Sequence, residues 1–272
     1  MNFTAAKFSD LIHGKLSFFT CSSTYGKSKQ CFISVQTGID ISEYKDEKGR
    51  DLTDLMLAVK DADTRIRLGS IEVSLITEAF LAALKQVRHF APQFHLSLQS
   101  GSNKVLKSMN RHYTREEYLE KCKMIYEAFP MAAITTDIIV GFPGETEEDF
   151  LQTLEFCKKA RFLKIHIFPY SKRAGTPAAT MKGQISTEKK SRRLHELEKI
   201  CQENTAKLLS REVAERDERE VLFETFKDGY AYGHTDDFLE ICAPSERDMR
   251  GEIAKVKLIS SDGKQILAAL EK

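Results

Sequence analysis

Several side chains with chemically useful groups follow the predicted β-strands of this chain. Ser97 and Gln99 close one strand, Asp137 lies in another, and Tyr170 follows a third. Because the carboxyl ends of parallel strands share one rim of a sheet, we expect these groups to lie together. Hydroxyls and amides can bind a ribose, carboxylates an amine, and cations a carboxylate. The whole predicted rim comprises Thr37, Glu72, Ser97, Gln99, Asp137, Tyr170 and Ser171, with Arg111 and Arg173 as candidate cations.

The stretch 137–146 (DIIVGFPGET) combines a strand, a tight turn and the start of a helix. Its β-branched run is typical of a strand buried in a parallel sheet. Thr146, with Asp149 three residues later, predicts a helix capping box. A glycine such as Gly141 at the end of a strand lets a ligand approach the backbone. A Gly-x-x-Gly turn taken alone is more often structural, so both interpretations stay open for this stretch.

Other polar residues give weaker signals. His95 and His166 are interpreted as core or rim histidines, because no carboxylate or cysteine lies at metal-ligand spacing in the sequence. The charged segment 188–193 is typical of a solvated helix face, although its cations could contact phosphates. Acid–base catalysis by Glu72 and Asp137 is disfavoured, because no nucleophile has an adjacent base. The sequence assigns no catalytic residue and no metal ligand.

Alternating strand and helix patterns from residue 31 predict a parallel sheet, since consecutive parallel strands need helical crossovers. Thr53 and Thr77 are predicted helix caps. The periodicity does not decide between an open sheet and a partial barrel. A long helix follows Gln184, and from Glu220 the period becomes two, with glycines at the turns. This change predicts a small antiparallel β-barrel. Residues 1–30 show no clear period, and no element is assigned to them.

Composition excludes several classes of protein. The 272 residues carry a net charge of +1, but residues 211–272 hold 10 basic and 15 acidic side chains, which leaves the rest at +6. Six scattered cysteines (21, 31, 122, 157, 201 and 242) contain no CxxC pair, so neither a zinc site nor a disulfide framework is indicated. Reduced thiols and the absence of a long apolar run predict a cytoplasmic protein with no membrane role.

Five motifs, in order and with matching spacing, resemble the radical SAM methylthiotransferase family. They are 65–72 (RIRLGSIE), 95–101 (HLSLQSG), 109–114 (MNRHYT), 137–146 (DIIVGFPGET) and 168–176 (FPYSKRAGT). The likeness is to the branch that methylthiolates threonylcarbamoyladenosine next to the tRNA anticodon. It implies an α/β fold, a partial parallel (β/α) barrel without its first strand, followed by a small antiparallel β-barrel, the TRAM domain. The expected division is 1–30 as an unassigned lead-in, 31–210 as the radical SAM core and 211–272 as the TRAM-like barrel.

The same resemblance implies S-adenosylmethionine as cofactor and tRNA as partner. Ser97 and Gln99 would face its ribose or methionine part, Arg111 its carboxylate, and the turn at Gly141 its adenine. Asp137 and Tyr170 complete the expected site. In this family a 4Fe-4S cluster reduces the sulfonium and releases an adenosyl radical, which abstracts hydrogen from the adenine carbon to be thiolated.

The sequence departs from the family pattern at the cluster. The family holds its radical cluster in a CxxxCxxC loop, and no such triplet occurs here. We therefore expect an incomplete methylthiotransferase that is inactive by itself. Three alternatives remain: a non-catalytic tRNA-binding protein, or a methylthiotransferase for isopentenyladenosine in tRNA or for a ribosomal protein. The sequence does not indicate the oligomeric state.

Overall fold

A run of strands alternating with helices forms the first part of the chain. The computed structural model describes residues 16–21, 32–37, 41–63 and 65–271, the first two ranges through their backbone. The strands are β1 (Leu16–Cys21), β2 (Phe32–Thr37), β3 (Arg65–Leu68), β4 (Ser70–Ile71), β5 (Gln93–Leu96), β6 (Ala133–Val140) and β7 (Lys164–Pro169). The helices are α1 (Leu52–Ala58), α2 (Glu78–Gln86), α3 (Asn103–Ser108), α4 (Arg115–Ala128), α5 (Glu147–Lys159), α6 (Pro177–Thr180) and α7 (Thr187–Glu215).

The strands form two neighbouring sheets. Strands β2 and β3 are parallel, and β1 pairs antiparallel with β2 at the outer edge. Strands β4 to β7 are parallel to one another in chain order. Ile66 joins the two sheets, because its backbone exchanges hydrogen bonds with His89 and Ala91 just before β5. Among the described strands β1 and β7 are edges, so the parallel arrangement is a partial barrel. Strand β1 lies within 1–30, where the sequence predicted no element.

Local sequence explains where the helices begin. Thr146 with Asp149 forms the predicted capping box of α5, and Thr114 with Glu117 forms another at α4. Thr77 caps α2 through the backbone N–H of Phe80. The prediction of Thr53 as a cap is wrong: the side chain of Asp51 accepts from the first amides of α1, and Asp54 completes a capping box. An aspartate carboxylate is as good an acceptor for the first N–H groups of a helix as a threonine hydroxyl.

The apolar face of the parallel strands packs under these helices. Leu96, Ile138 and Ile165 point to this side and share one core with Phe80 and Phe150 of the helices. Period-two alternation then places the intervening residues of β5, β6 and β7 on the opposite side. Helix α7 packs along β7 and α5 and continues to β11 of the second part.

Five strands close into a small barrel after α7. They are β8 (Glu218–Lys227), β9 (Tyr230–Thr235), β10 (Glu240–Pro244), β11 (Ile253–Ser261) and β12 (Ile266–Leu270), in the order β10-β12-β11-β8-β9. Four of the pairings are antiparallel as predicted, whereas β10 and β12 run parallel. Val221, Phe223, Ile241, Val256 and Ile266 fill the interior. Within the part of the chain described here, no helix is long and apolar enough to cross a membrane.

Candidate functional site

Strands β5, β6 and β7 expose a row of polar side chains on the face opposite the helices. Parallel pairing sets His95 beside Thr135 and Asp137 beside His166. Ser97 follows on the same face, two residues beyond His95. We call these five residues the polar face. The three neighbouring strands β5, β6 and β7 therefore bring together side chains that are about 30 to 40 residues apart in sequence, as expected for parallel strands.

Asp137 lies at the centre of the polar face. Its Oδ2 accepts from Ser97 Oγ at 3.1 Å and lies 3.2 Å from His95 Nε2. Burial raises the pKa of Asp137, but the hydrogen bonds from His95 and Ser97 outweigh this, so its pKa falls below the usual value. Burial lowers the pKa of His166. At neutral pH the polar face thus combines an ionised carboxylate with a neutral imidazole.

Gln99 holds the end of β5 against β6 through its backbone. Its N–H donates to Asp137 O at 2.8 Å, and its carbonyl accepts from Ile139 N at 3.0 Å. The backbone of Gln99 has φ 69°, a left-handed conformation that costs a non-glycine residue free energy. The next turn is fixed by Gly101, where a Cβ would lie 2.7 Å from Thr153 Cα of α5. The rim beside Asp137 is therefore closely packed and strained.

Arg111 lies half-buried near the same rim, next to Tyr113. The Tyr113 hydroxyl donates to the carbonyl of Ser97 at 2.7 Å. Burial raises the pKa of Tyr113 to about 12, while the charge of Arg111 lowers it and that of Glu72 raises it. Sequence reasoning did not single out Tyr113, although it lies within the motif 109–114.

Tyr170 lies at the end of β7, beside the turn after β6. Its N–H donates to Val140 O at 2.8 Å, and its ring packs edge-on against Phe142 with centroids 5.4 Å apart. The Tyr170 hydroxyl is buried and finds no hydrogen-bond partner among the described residues. Buried hydroxyls are nearly always paired, so this oxygen is suited to a ligand at the rim.

Gly141 is required by its surroundings as well as by its backbone. It has φ 74°, and its N–H donates to Glu145 Oε2 at 2.6 Å. A Cβ at this position would lie 2.4 Å from Lys190 Cγ, because the Lys190 side chain crosses the turn to donate from Nζ to Tyr170 O at 2.9 Å. Lys190 thus covers this glycine. The predicted contact of Gly141 with adenine remains a prediction.

The interpretation of 188–193 as a solvated face or a phosphate contact is wrong for its inner residues. Arg193 is fully buried and pairs with buried Glu145 at 2.5 Å, and its Nη2 donates to Thr146 O at 3.1 Å. For Arg192 the solvated interpretation holds, since its side chain is 51% exposed and pairs with Glu147 at 2.8 Å. One signal could have predicted this: Arg193 shares helical spacing with Leu197, on the apolar side of α7.

Iron–sulfur ligation was tested on the cysteines whose side chains the structure describes, namely Cys122, Cys157, Cys201 and Cys242. Burial raises the pKa of each thiol, that of Cys122 to about 12, so the thiolate form that ligates iron is disfavoured. No group of cysteines among the described residues lies at metal-ligand distance. These residues do not fit a 4Fe-4S cluster. Cys31 and the side chain of Cys21 lie outside the described part.

Comparison with known proteins gives a consistent result. The Radical SAM superfamily profile matches residues 31–157. Threonylcarbamoyladenosine tRNA methylthiotransferase MtaB from Bacillus subtilis is 38% identical over 243 residues, covering 84% of this chain and 52% of that protein. The Thermotoga maritima protein of the same name is 34% identical over 232 residues, covering 84% and 53%.

A relative with another substrate also matches. The tRNA-2-methylthio-N(6)-dimethylallyladenosine synthase from Carboxydothermus hydrogenoformans is 43% identical over 164 residues, covering 59% of this chain and 37% of that protein. The chain spans about half the length of the first two relatives. Coproporphyrinogen III oxidase (HemN) from Escherichia coli, a radical SAM enzyme, superimposes with a TM-score of 0.47 at 15% identity over 80% of this chain and 55% of its own, which is too distant to bear on the fold.

The matched profile assigns residues 31–157, which form the helices and parallel strands up to α5, to the radical SAM superfamily. Over 84% of its length the chain is similar to two tRNA methylthiotransferases. The fold class predicted from the sequence, a partial parallel barrel followed by a small β-barrel, is confirmed. The proposed domain boundaries and the individual site residues remain predictions.

Proposed function

We propose that this chain supplies the cofactor-binding sheet and the substrate-binding barrel of a tRNA methylthiotransferase that acts on threonylcarbamoyladenosine. The observation that carries the assignment to the tRNA methylthiotransferases is the extent of the similarity. Threonylcarbamoyladenosine itself is proposed from the names of the first two relatives, since a dimethylallyladenosine synthase from Orientia tsutsugamushi also matches 85% of the chain. The two relatives that share this substrate match 84% of the chain, whereas residues 1–215 make up only about 79% of it. The likeness therefore extends from the sheet into the β-barrel, and not only over the part common to radical SAM proteins.

The residues of the rim have donor and acceptor groups that suit S-adenosylmethionine, whereas the described cysteines do not suit an iron–sulfur cluster. Ser97 and Asp137 offer a hydroxyl and a carboxylate beside the strained backbone of Gln99. Arg111 supplies a cation for the cofactor's carboxylate. The six residues proposed to hold the cofactor are Ser97, Gln99, Arg111, Asp137, Gly141 and Tyr170. When bound, the cofactor supplies the sulfonium for radical chemistry, and the chain's own residues bind it, orient it and exclude water.

The unpartnered hydroxyl of Tyr170 is the most specific support for a ligand at this rim. It lies on the segment that follows β7, next to Phe142, whose ring flanks the turn. A hydroxyl or amine of a nucleoside placed here would satisfy it.

Calorimetric titration of the chain with S-adenosylhomocysteine tests cofactor binding. We expect one site, and Arg111→Ala should weaken binding about tenfold or more, because it removes a charge-assisted hydrogen bond. Arg247→Ala is the matched control. Arg247 pairs with Glu252 on the barrel, so its removal should leave the affinity for S-adenosylhomocysteine unchanged. Equal affinity in both variants would remove Arg111 from the site.

The tRNA partner is proposed to contact the sheet side of the chain as well as the barrel. Residues 211–272 carry a net charge of −5, whereas affinity for nucleic acid rests largely on basic contacts. Lys172 and Arg173 are exposed on the loop after β7 and take part in none of the ion pairs of the described residues. Their exposure supports the proposal that they meet phosphates near the rim.

Binding of anticodon stem-loops tests the substrate. We expect the loop with threonylcarbamoyladenosine to bind more tightly than the unmodified loop, with an affinity that falls several-fold between about 50 and 200 mM salt. Replacing both Lys172 and Arg173 by alanine should reduce this salt dependence. Preference for a dimethylallyladenosine loop would favour the substrate in the name of the Carboxydothermus hydrogenoformans relative, and salt-independent binding would argue against a tRNA partner.

Catalysis by the chain alone is not part of the proposal. After anaerobic reconstitution we expect no stoichiometric iron and acid-labile sulfide, because the described cysteines do not fit a cluster and the sequence has no CxxxCxxC loop. A stoichiometric, cysteine-dependent cluster would contradict this expectation.

A further inference from the structure

We propose that His95, Asp137 and His166 form a binding site for a divalent transition-metal ion of the zinc or iron(II) class. Each residue offers one ligand atom, and these atoms all lie within 4.8 Å of one another. Spacing along the chain does not indicate this site, because the three residues come from three different strands. Parallel pairing alone brings them together on the polar face.

The spacing of the donors suits a small divalent ion. Zinc binds nitrogen and oxygen at about 2.0–2.2 Å, so tetrahedral ligand atoms lie about 3.3 Å from each other. His95 Nε2 and Asp137 Oδ2 are already 3.2 Å apart. The ring centroids of His95 and His166 are 5.8 Å apart, so a small rotation of a partly exposed imidazole completes the set. Two imidazoles and one carboxylate are a donor set typical of zinc and non-haem iron(II).

The residues behind His95 are arranged to fix its orientation. Thr135 Oγ1 lies 2.9 Å from His95 Nδ1 and accepts from Gln93 Nε2 at 3.1 Å. Both Thr135 and Gln93 are buried. A hydroxyl oxygen can accept two hydrogen bonds, so once an ion replaces the Nε2 proton, His95 Nδ1–H can donate to Thr135 Oγ1 while the Nε2 lone pair faces the ion. Metal-ligating histidines commonly donate their second N–H in this way.

Asp137 is supported from the other side. Ser97 Oγ donates to its Oδ2 at 3.1 Å, which orients the carboxylate toward the histidines. Its negative charge offsets part of the charge of a divalent ion. Where His95 Nε2 carries the proton before binding, the ion takes its place on the nitrogen lone pair and the proton leaves to solvent.

Three protein ligands leave coordination positions open. His166 is partly exposed, and Phe168, two residues further along the same face, is 51% exposed. An open position can hold water or a donor group of a substrate. The site would be separate from an iron–sulfur cluster, since it contains no cysteine. The site shares Asp137 with the residues proposed for S-adenosylmethionine, but it does not rest on the proposed function, because an ion can bind here in the absence of that cofactor.

Titration of the metal-free chain with Zn²⁺ and with Co²⁺, without S-adenosylmethionine, tests the site. We expect one equivalent of each to bind, and Co²⁺ to show visible d–d absorption without a thiolate-to-metal band. His166→Ala should weaken binding by at least about 100-fold, and Thr135→Val by about 10- to 100-fold by removing the support of His95. His195→Ala is the control, since His195 is exposed on α7.

His166→Ala removes a partly exposed side chain, so it should fold as the unchanged chain does, which circular dichroism checks. Three results would overturn the site: no stoichiometric binding, undiminished binding in His166→Ala, or a thiolate band that disappears when Cys21 and Cys31 are replaced by serine. Titration with S-adenosylhomocysteine in the same samples keeps a failure of cofactor binding distinct from a failure of metal binding.

Discussion

Two polar clusters lie on either side of the turn that follows β6, and they differ in how deeply their charged groups are buried. Arg193 and Glu145 are 0% and 1% exposed, and Glu145 also accepts from Gly141 N. On the polar face, Asp137 is 26% exposed through its side chain, and His166 is open to solvent on one side. Removing one partner of a buried ion pair destabilises the fold, because the other charge stays buried without its partner. Ordered polar groups that are partly exposed can still bind a ligand.

The difference explains why one family motif contains both kinds of residue. Within 137–146, Asp137 faces the open side of the sheet, while Glu145 turns inward to anchor α7 against the turn. Burial raises the pKa of Glu145, whereas hydrogen bonding leaves the pKa of Asp137 lowered. Substitutions in the first cluster should therefore cost stability, and substitutions in the second should cost binding.

The largest effect is expected from Arg193→Met. It keeps apolar packing but leaves the Glu145 carboxylate buried without its cation, which should lower the free energy of unfolding by about 3–5 kcal/mol in urea denaturation. Arg192→Ala, whose side chain is 51% exposed, should cost at most about 1 kcal/mol. Adding Glu145→Gln to Arg193→Met should recover part of the loss. Equal stability of the two arginine variants would show that the buried pair does not hold the turn.

Gly141→Ala should rank second. A left-handed φ of 74° and a Cβ 2.4 Å from Lys190 Cγ together should cost about 3 kcal/mol. Gly144→Ala is the matched control, because φ is 80° but nothing lies within 4 Å of the added Cβ, and it should cost about 1 kcal/mol. Lys190→Ala should bring Gly141→Ala close to that control. If the double variant is as unstable as Gly141→Ala alone, the contact with Lys190 contributes nothing and backbone strain accounts for the loss of stability.

Asp149→Asn is expected to cost about 2 kcal/mol near pH 7. Burial raises the pKa of Asp149, but hydrogen bonds from Lys104, Thr146 and Ser102 outweigh it, so the net pKa falls below 3.8. A carboxylate whose pKa is lowered by folding stabilises above its unfolded pKa, and this stabilisation is lost as the pH falls through the folded pKa.

The difference between Asp149→Asn and the unchanged chain should therefore be constant at neutral pH and shrink below about pH 4. Urea denaturation across this range measures it. A difference that grows on acidification would contradict the lowered pKa.

The smallest change in stability is expected on the polar face. Ser97→Ala removes one hydrogen bond to the partly exposed Asp137 and should lower the free energy of unfolding by no more than about 1 kcal/mol. It should nevertheless weaken binding of S-adenosylhomocysteine. A loss of stability comparable to that of Arg193→Met, with binding intact, would reverse the roles assigned to the two clusters.

Much of the fold could be predicted from the sequence, because it depends on local signals. Short sequence patterns suffice for several elements. Capping boxes predict the helix starts at Thr114 and Thr146, and a β-branched run predicts the strand at Ile138 to Val140. Asp51 took the capping role expected of Thr53 because either side chain can cap a helix. Strand β1 was missed because its pattern gives no period that distinguishes it from a loop.

The site was less predictable, because its contacts are between distant parts of the chain. His95 and His166 appeared to lack a carboxylate partner, yet strand pairing places Asp137 between them. Lys190 and Arg193 read as solvated charges, and only the packing of α7 shows that they cross and anchor the turn. Residue spacing along a chain does not reveal such contacts without the register of the sheet.

Hydrogen–deuterium exchange with and without S-adenosylmethionine tests most directly whether the polar rim is the binding site. Binding should slow exchange in residues 97–102, 137–144 and 168–173, where the ends of β5, β6 and β7 meet, and should leave β8 to β12 unchanged. Protection confined to the β-barrel, or no protection at a saturating concentration of the cofactor, would contradict the assignment of the rim as the cofactor site.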